Sequence, residues 1–216
     1  MRINKFIAQS SQLSRRAADQ AIADGRVLVN GQAPQPGHDI QPTDQVTLDG
    51  SILSADDTPT TIVLNKPVGY ICSRNGQGGH TIYELLPYEL HRLNPVGRLD
   101  KDSSGLLVMT TDGELANTLT HPKYEKQKKY IVTLYKPLTA ADRASIEAGV
   151  ELDDGMSALG LRPLVNNAWE VTMHEGRNRQ IRRTFAAVGH QVKTLHRTTF
   201  GDYYLGPLRL GRFTKV

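Results

Sequence analysis

Ile3, Phe6 and Ile7 recur at helical spacing while Arg2 and Lys5 fall off that stripe, which predicts a short amphipathic helix at the start of the chain. Ser14 is placed to cap a second helix with Ala17, Ala18, Ala21 and Ile22 on its inward face, and Gly25 ends it as a left-handed cap. The segment from Arg26 to Gly31 reads as a short strand running into an Asn-Gly turn. Val46 and Leu48 supply a later alternating strand. Two short helices and a small sheet of this size form a compact unit with a thin core.

The stretch from Asp49 to Thr60 is polar, contains Pro59 and has weak periodicity, so it reads as a linker. The expected division is a domain over 1–50, a linker over 51–60 and a larger domain over 61–216. Strand patterns dominate beyond the linker: Ile62 to Leu64, Leu106 to Met109, Tyr130 to Tyr135 and Trp169 to Met173. Helical patterns intervene near 113–120, 139–148 and 178–188, with Thr139 and Gly149 bracketing the second as cap and stop. Strands and helices without regular alternation predict an α+β fold rather than a doubly wound sheet.

Charge changes this picture more than composition does. With 38% hydrophobic and 22% charged residues the composition is that of an ordinary globular chain, and a net charge of +4 is only mildly basic. Yet residues 172–216 carry nine Lys or Arg against Glu175 and Asp202, and residues 121–136 carry five Lys against Glu125. Two basic blocks in an otherwise neutral or acidic chain suit a phosphate-tracking surface, or a merely solvated basic face. Cys72 is the only cysteine, which excludes an intrachain disulfide and a thiolate metal cluster. With no apolar run of membrane-spanning length and no apolar signal core in MRINKFIAQS, the expected location is the cytoplasm.

Three segments carry candidate chemistry. In Gly97-Arg98-Leu99-Asp100-Lys101-Asp102-Ser103-Ser104-Gly105, Asp100 stands before a turn and an apolar strand, where it fits a nucleophile, a general base or a turn-forming Asp. Asp102 fits a turn or cap better than catalysis. In Glu175 to Arg183, a helix over 178–188 would put Ile181, Phe185 and Val188 on its apolar face, Arg179 and Arg183 pointing away, and Arg182 along the border. Tyr130 follows Lys128 and Lys129 at the start of a strand, a pattern that serves either base stacking or a core tyrosine. The seven histidines show no metal-ligand spacing, and Gly76-Gln77-Gly78-Gly79 lacks the Lys-Ser/Thr of a nucleotide loop and reads as a flexible turn.

Together these residues resemble the ribosomal RNA pseudouridine synthases of the RsuA-like group. RINKFIAQSSQLSRRAADQAIADGRVLVNG resembles the small S-four RNA-binding domain, and Asn65-Lys66-Pro67-Val68-Gly69-Tyr70 the opening of the catalytic domain. GRLDKDSSGLLVMTTDGELAN is similar to the family's catalytic motif, and HEGRNRQIRR with the later Leu195-His196-Arg197 to its late basic motif. Thr184 stands where a methionine is common, which reads as a change of packing.

The resemblance implies a small α+β RNA-binding domain followed by a catalytic domain with a mixed, mainly antiparallel sheet. It makes Asp100 the catalytic carboxylate, Tyr130 the aromatic that stacks on a flipped uracil, and Arg182 the partner of Asp100. Leu195 would pack near the base. RNA contacts would come from Arg98, Arg15, Arg16, Lys128, Lys129, Arg177, Arg179, Arg183 and Arg197. No cofactor or metal is implied, because one glycosidic bond is exchanged for another. The implied partner is ribosomal RNA or an assembling ribosomal subunit, met by a monomer without a membrane. Two alternatives stand beside it: a non-catalytic RNA-binding assembly factor on the same scaffold, and a glycoside-type hydrolase using Asp100 and Asp102.

Overall fold

A computed structural model describes residues 1–11, 13–54, 59–74, 76 and 78–216. Its residues fall into two compact units, Met1–Pro59 with Glu89–Arg92 and Thr60–Tyr88 with Leu93–Val216.

The first unit holds α1 (Ile3–Ser10), α2 (Arg15–Ala23), β1 (Val27–Val29), β2 (Val46–Leu48) and β3 (Ser51–Ile52). Ser14 caps α2 by accepting from the Ala17 N–H, and Gly25 follows the helix at φ +71°. The strands form an antiparallel sheet in the order β1-β2-β3. Ile3 and Ile7 meet Ala18, Ala21, Ile22, Val27, Val29, Ile40 and Val46 in a single small core. The linker expectation is corrected at its start: Ser51 and Ile52 pair with β2, and the Leu53 N–H donates to the Val46 carbonyl. Both residues of β3 are exposed beyond the tight Asp49-Gly50 turn, so no apolar alternation marks the strand in the sequence. Residues 55–58 of the expected linker lie outside the described residues, as does Gln77 of the glycine-rich turn.

The second unit is built on one mixed sheet. Its strands are β4 (Thr61–Lys66), β5 (Asn94–Pro95), β6 (Ser104–Thr110), β7 (Lys128–Leu134), β8 (Val150–Leu152), β9 (Gly155–Ser157), β10 (Gly160–Pro163), β11 (Ala168–Met173), β12 (Val192–Phe200), β13 (Tyr203–Tyr204) and β14 (Phe213–Lys215). Helices α3 (Gly113–Thr120), α4 (Ala140–Ala148) and α5 (Gln180–Ala187) intervene. The main order is β10-β11-β7-β12-β6-β4-β14, with β8 and β9 forming a separate hairpin. Pairing is antiparallel throughout the main order except between β12 and β6, which run parallel. The expected α+β class with a mainly antiparallel sheet is what the structure has.

β4 and β6 are buried on both faces, as their near-continuous apolar runs require. Val63, Val96, Leu106, Val108, Leu119, Phe200 and Leu205 form one core beside them. Gly105 makes the parallel junction possible: it sits at φ +107°, and a Cβ there would lie 2.2 Å from the Arg197 carbonyl oxygen. Only glycine lets β6 approach β12 this closely. Thr139 caps α4 from its side chain, as expected. The helix expected over 178–188 is shorter, because Arg179 adopts a left-handed conformation (φ 47°) and α5 begins at Gln180.

Candidate active site

A cavity of about 750 Å³ opens in the second unit, with Asp100 on its wall beside Tyr130, Leu195 and Arg197. Tyr130 on β7 lies directly opposite Arg197 on β12, and Leu195 opposite Val132. Alternation along paired strands therefore sends Tyr130, Leu195 and Arg197 to the same side of the sheet. Tyr130 and Leu195 are each 7% exposed. Asp100 comes from the loop leading into β6, and its side chain remains 31% exposed. A carboxylate half in water, on the rim of an apolar-floored cavity, stays accessible to a ligand.

The loop that presents Asp100 is fastened from below by Lys66, which is fully buried at the end of β4. Its Nζ donates to the carbonyls of Pro67 (3.1 Å), Asp100 (3.0 Å) and Ser103 (2.7 Å). Burial pulls the Lys66 pKa below the ordinary lysine value, partly opposed by Cys72, Asp100 and Asp102. The ammonium is thus a backbone clamp. Cys72 adds a second tie, accepting from the Leu99 N–H at 3.4 Å. Ser103, which lines the cavity and is 1% exposed, keeps a buried hydroxyl without a partner among the described residues.

The arginines of the late motif are corrected in detail. Arg182 does not pair with Asp100. Its Nη2 donates to the Asp102 carbonyl (2.8 Å), its Nη1 to the Val192 carbonyl (3.2 Å), and its Nε lies 3.3 Å from the Asp102 carboxylate. Its two bonded acceptors are carbonyls, and its ion pair is with Asp102. The Asp100 carboxylate instead pairs with Arg179, 3.7 Å from Oδ2, which also holds Asp102 through two bonds of 2.8 and 2.9 Å. Those bonds lower the Asp102 pKa below the usual carboxylate value and raise that of Arg179. Asp102 lies in the turn that the Ser103 N–H closes on the Asp100 carbonyl, as expected, and its carboxylate in addition anchors two arginines.

Arg183, expected to point at phosphate, is spent on Asp154 at 3.0 and 2.7 Å and on the Asn178 carbonyl. Arg177 is more tightly enclosed. Its guanidinium donates to the Asp154 carboxylate, to the carbonyls of Asp154, Gly155 and Met156, and to Glu175. Gln180 continues this latch by bonding Ser157 and Glu175 from its side-chain amide and accepting from the Arg177 N–H. Thr184 completes it: its hydroxyl lies 2.8 Å from that of Ser157, and it donates to the Gln180 carbonyl. The threonine at this position is part of a buried polar network, which corrects the reading of it as packing alone.

The remaining expected RNA contacts separate by position. Arg98 is exposed at the cavity mouth, while Lys128 and Arg197 face inward. Lys129 follows Lys128 on β7 and does not line the cavity. Arg15 and Arg16 are exposed on α2 of the first unit, with Arg15 bonded to Asn4. Sequence reasoning missed Lys66, although a lysine ending an apolar run that is buried on both faces signals a charge with a structural partner. Among the described residues no group of three His, Cys, Asp or Glu is placed to hold a metal ion, and no helix is long and apolar enough to cross a membrane.

Comparison with known proteins bears on this geometry directly. The RNA pseudouridylate synthase family model matches residues 60–187, and the S4 domain model matches residues 1–46. An uncharacterized RNA pseudouridine synthase of Aquifex aeolicus is 36% identical, covering 100% of this chain and 90% of that protein. Ribosomal large subunit pseudouridine synthase B of Bacillus subtilis is 35% identical over 97% of this chain and 89% of its own length. A crystal structure of a pseudouridylate synthase superposes with a TM-score of 0.72 at 32% identity, covering 100% of this chain and 96% of that one. The matched span contains the Asp100 loop, the Lys66 clamp and the Arg177 latch, and the chain is a member of the RNA pseudouridylate synthase family that carries an S4 domain ahead of its catalytic domain.

Proposed function

We propose that this protein converts a uridine of ribosomal RNA to pseudouridine, with Asp100 as the reacting carboxylate. The observation that carries this is the position of Asp100: a loop clamped by Lys66 holds it on the wall of a cavity shared with Tyr130 and Leu195. Two relatives, from Bacillus subtilis and Yersinia pestis, are named for the large ribosomal subunit, which favours that subunit as the source of the substrate. In this division of labour the S4 unit over 1–50 captures RNA and residues 61–216 perform the chemistry.

The reaction breaks the bond between the ribose and a ring nitrogen and forms one to a ring carbon, so the detached base must turn without escaping. A base enters such a cavity only after leaving its stack, at a cost of a few kcal/mol. Contact with the Tyr130 ring and the Leu195 side chain offsets part of that cost. Asp100 then acts on the nucleoside while Arg179 supplies the positive charge paired with its carboxylate. Arg182 acts at one remove, by fixing Asp102 and hence the far side of the same loop.

The test is Asp100→Asn, which keeps size and hydrogen bonding but removes the charge. Pseudouridine formation on ribosomal RNA should disappear while RNA affinity stays within a few-fold, because affinity is spread over many phosphate contacts. Mapping by carbodiimide-blocked primer extension, with and without the protein, locates the uridine. Turnover by Asp100→Asn near the parent rate would refute the assignment, and release of free uracil would identify a hydrolase instead.

A further inference from the structure

The cavity extends well beyond Asp100, and its cations divide into two kinds. Lys126, Arg177 and Arg179 each contact a carboxylate, namely Asp202, Asp154 and Asp102 respectively. Arg98, Lys128 and Arg197 do not: among the described residues no carboxylate lies within 4.0 Å of any of them, and of the three Arg98 is the exposed one. Arg197 is 2% exposed, its Nε is bonded to the Leu106 carbonyl at 2.8 Å, and its Nη2 is buried without a hydrogen-bond partner. Lys128 stands on the same Phe200 ring, with Nζ 5.2 Å and the Arg197 Cζ 4.8 Å from the ring centroid. Two carbonyls, of His174 and Glu175, hold the Lys128 ammonium in place, and the Glu175 carboxylate, beyond ion-pair distance, offsets its charge only in part.

Two like charges over one aromatic ring, one of them almost wholly buried, repel each other. Burial first, and the Arg197 charge second, pull the Lys128 pKa down against the smaller opposing pull of Glu175. An enclosed cation without a counter-charge is costly unless an anion completes the site. We propose that Lys128 and Arg197 form an anion subsite inside the cavity that takes a phosphodiester of the RNA strand adjoining the target nucleotide. A guanidinium with an unused N–H edge and an ammonium with an unused N–H match the several acceptor oxygens of a phosphate. The subsite separates strand positioning from base handling, since Tyr130 opposes Arg197 across the strand pair while Asp100 lies on the loop before β6. Identifying the anion as RNA backbone rests on the function proposed above, whereas the anion site itself does not.

The first experiment uses the full-length protein and inorganic phosphate. Thermal unfolding is measured with phosphate and with chloride at matched ionic strength. Phosphate at about ten times its dissociation constant should raise the parent midpoint by about 3–5 °C beyond chloride. Arg197→Met and Lys128→Met should each lose most of that gain. The second reads RNA binding against salt, where Lys128→Met should lower the slope by about 0.7–0.9. Should Arg197→Met fail to fold, Lys128→Met carries both measurements. A parent protein indifferent to phosphate, or variants that keep the gain and the salt slope, overturns the subsite. If the phosphate response depends on both residues but no pseudouridine forms, the proposed reaction fails and the anion site stands.

Discussion

Replacing Lys66 by methionine keeps the length of the side chain and removes its charge and donors. Three carbonyls then lose a charged donor, with the Ser103 bond buried and those to Pro67 and Asp100 partly buried. A bond to a charged group contributes about 1.5–3 kcal/mol, so about 3 kcal/mol for the buried one and about 1.5 for each of the others gives about 6. Releasing a buried ammonium that desolvation disfavours returns part of this, leaving a net loss of about 3 kcal/mol. For a domain of this size that lowers the melting midpoint by about 6–12 °C. The same perturbation frees the Asp100 backbone, and in the role proposed for Asp100 a displacement of about 1 Å costs up to about 100-fold in rate. The assay pairs a thermal melt with single-turnover pseudouridine formation below the midpoint of the variant. The folded-state pKa of Lys66 is lowered, so the unfolded chain holds that proton more tightly, and the burial cost shrinks as pH rises towards the ordinary lysine value. A variant that melts within about 1 °C of the parent and turns over normally would refute the clamp.

Arg177→Ala should destabilise the loop over 174–179 and slow turnover while leaving the salt slope of RNA binding nearly unchanged, because its guanidinium is occupied by protein acceptors; a slope reduced by a full phosphate contact, about 0.7–0.9, would show that it meets RNA instead. The Asp102 carboxyl has a depressed pKa, so its pairing with Arg179 is present above the ordinary carboxylate value near 3.9 and is lost as pH falls through the folded-state value. Asp102→Asn should therefore flatten the acid limb of the stability profile, measured by melting between about pH 2 and 5, and an unchanged acid limb would assign that limb to other groups.

Much of this was legible in the sequence because the signals were local. Caps at Ser14 and Thr139, the left-handed Gly25 and the apolar run of Ile62 to Leu64 each depend on neighbours a few residues away, and each appears in the fold. The strand over Val192–Phe200 went unread, although it carries Leu195 and Arg197 to the cavity. Its exposed Lys193 and Thr194 and its bulges break the alternation that marks a strand. The arginine partners were misread for a different reason. A helical wheel places Arg182 at a border correctly but says nothing of which carboxylate waits there, and Asp100 and Asp102 differ only in how the loop turns between them. Pairing across 77 and 80 residues of sequence is decided by tertiary geometry alone.

The place of β12 in the sheet has a consequence for how the catalytic domain assembles. It lies between two antiparallel ribbons, β10-β11-β7 on one side and β6-β4-β14 on the other, and no other strand of the main order joins them. β10-β11-β7 and β6-β4 close through pairings nearer in sequence, whereas β12 must meet β6 across roughly ninety residues and β14 must meet β4 across roughly one hundred and fifty, the slower kind of step because the loop entropy is lost before contacts compensate. Tyr130 belongs to one ribbon, and the Asp100 loop enters the other. Until β12 docks, the carboxylate and the aromatic ring sit on separate pieces of sheet with unpaired edges. Nascent or partly unfolded chains therefore lack the cavity altogether, and the chemistry switches on only with completion of the fold.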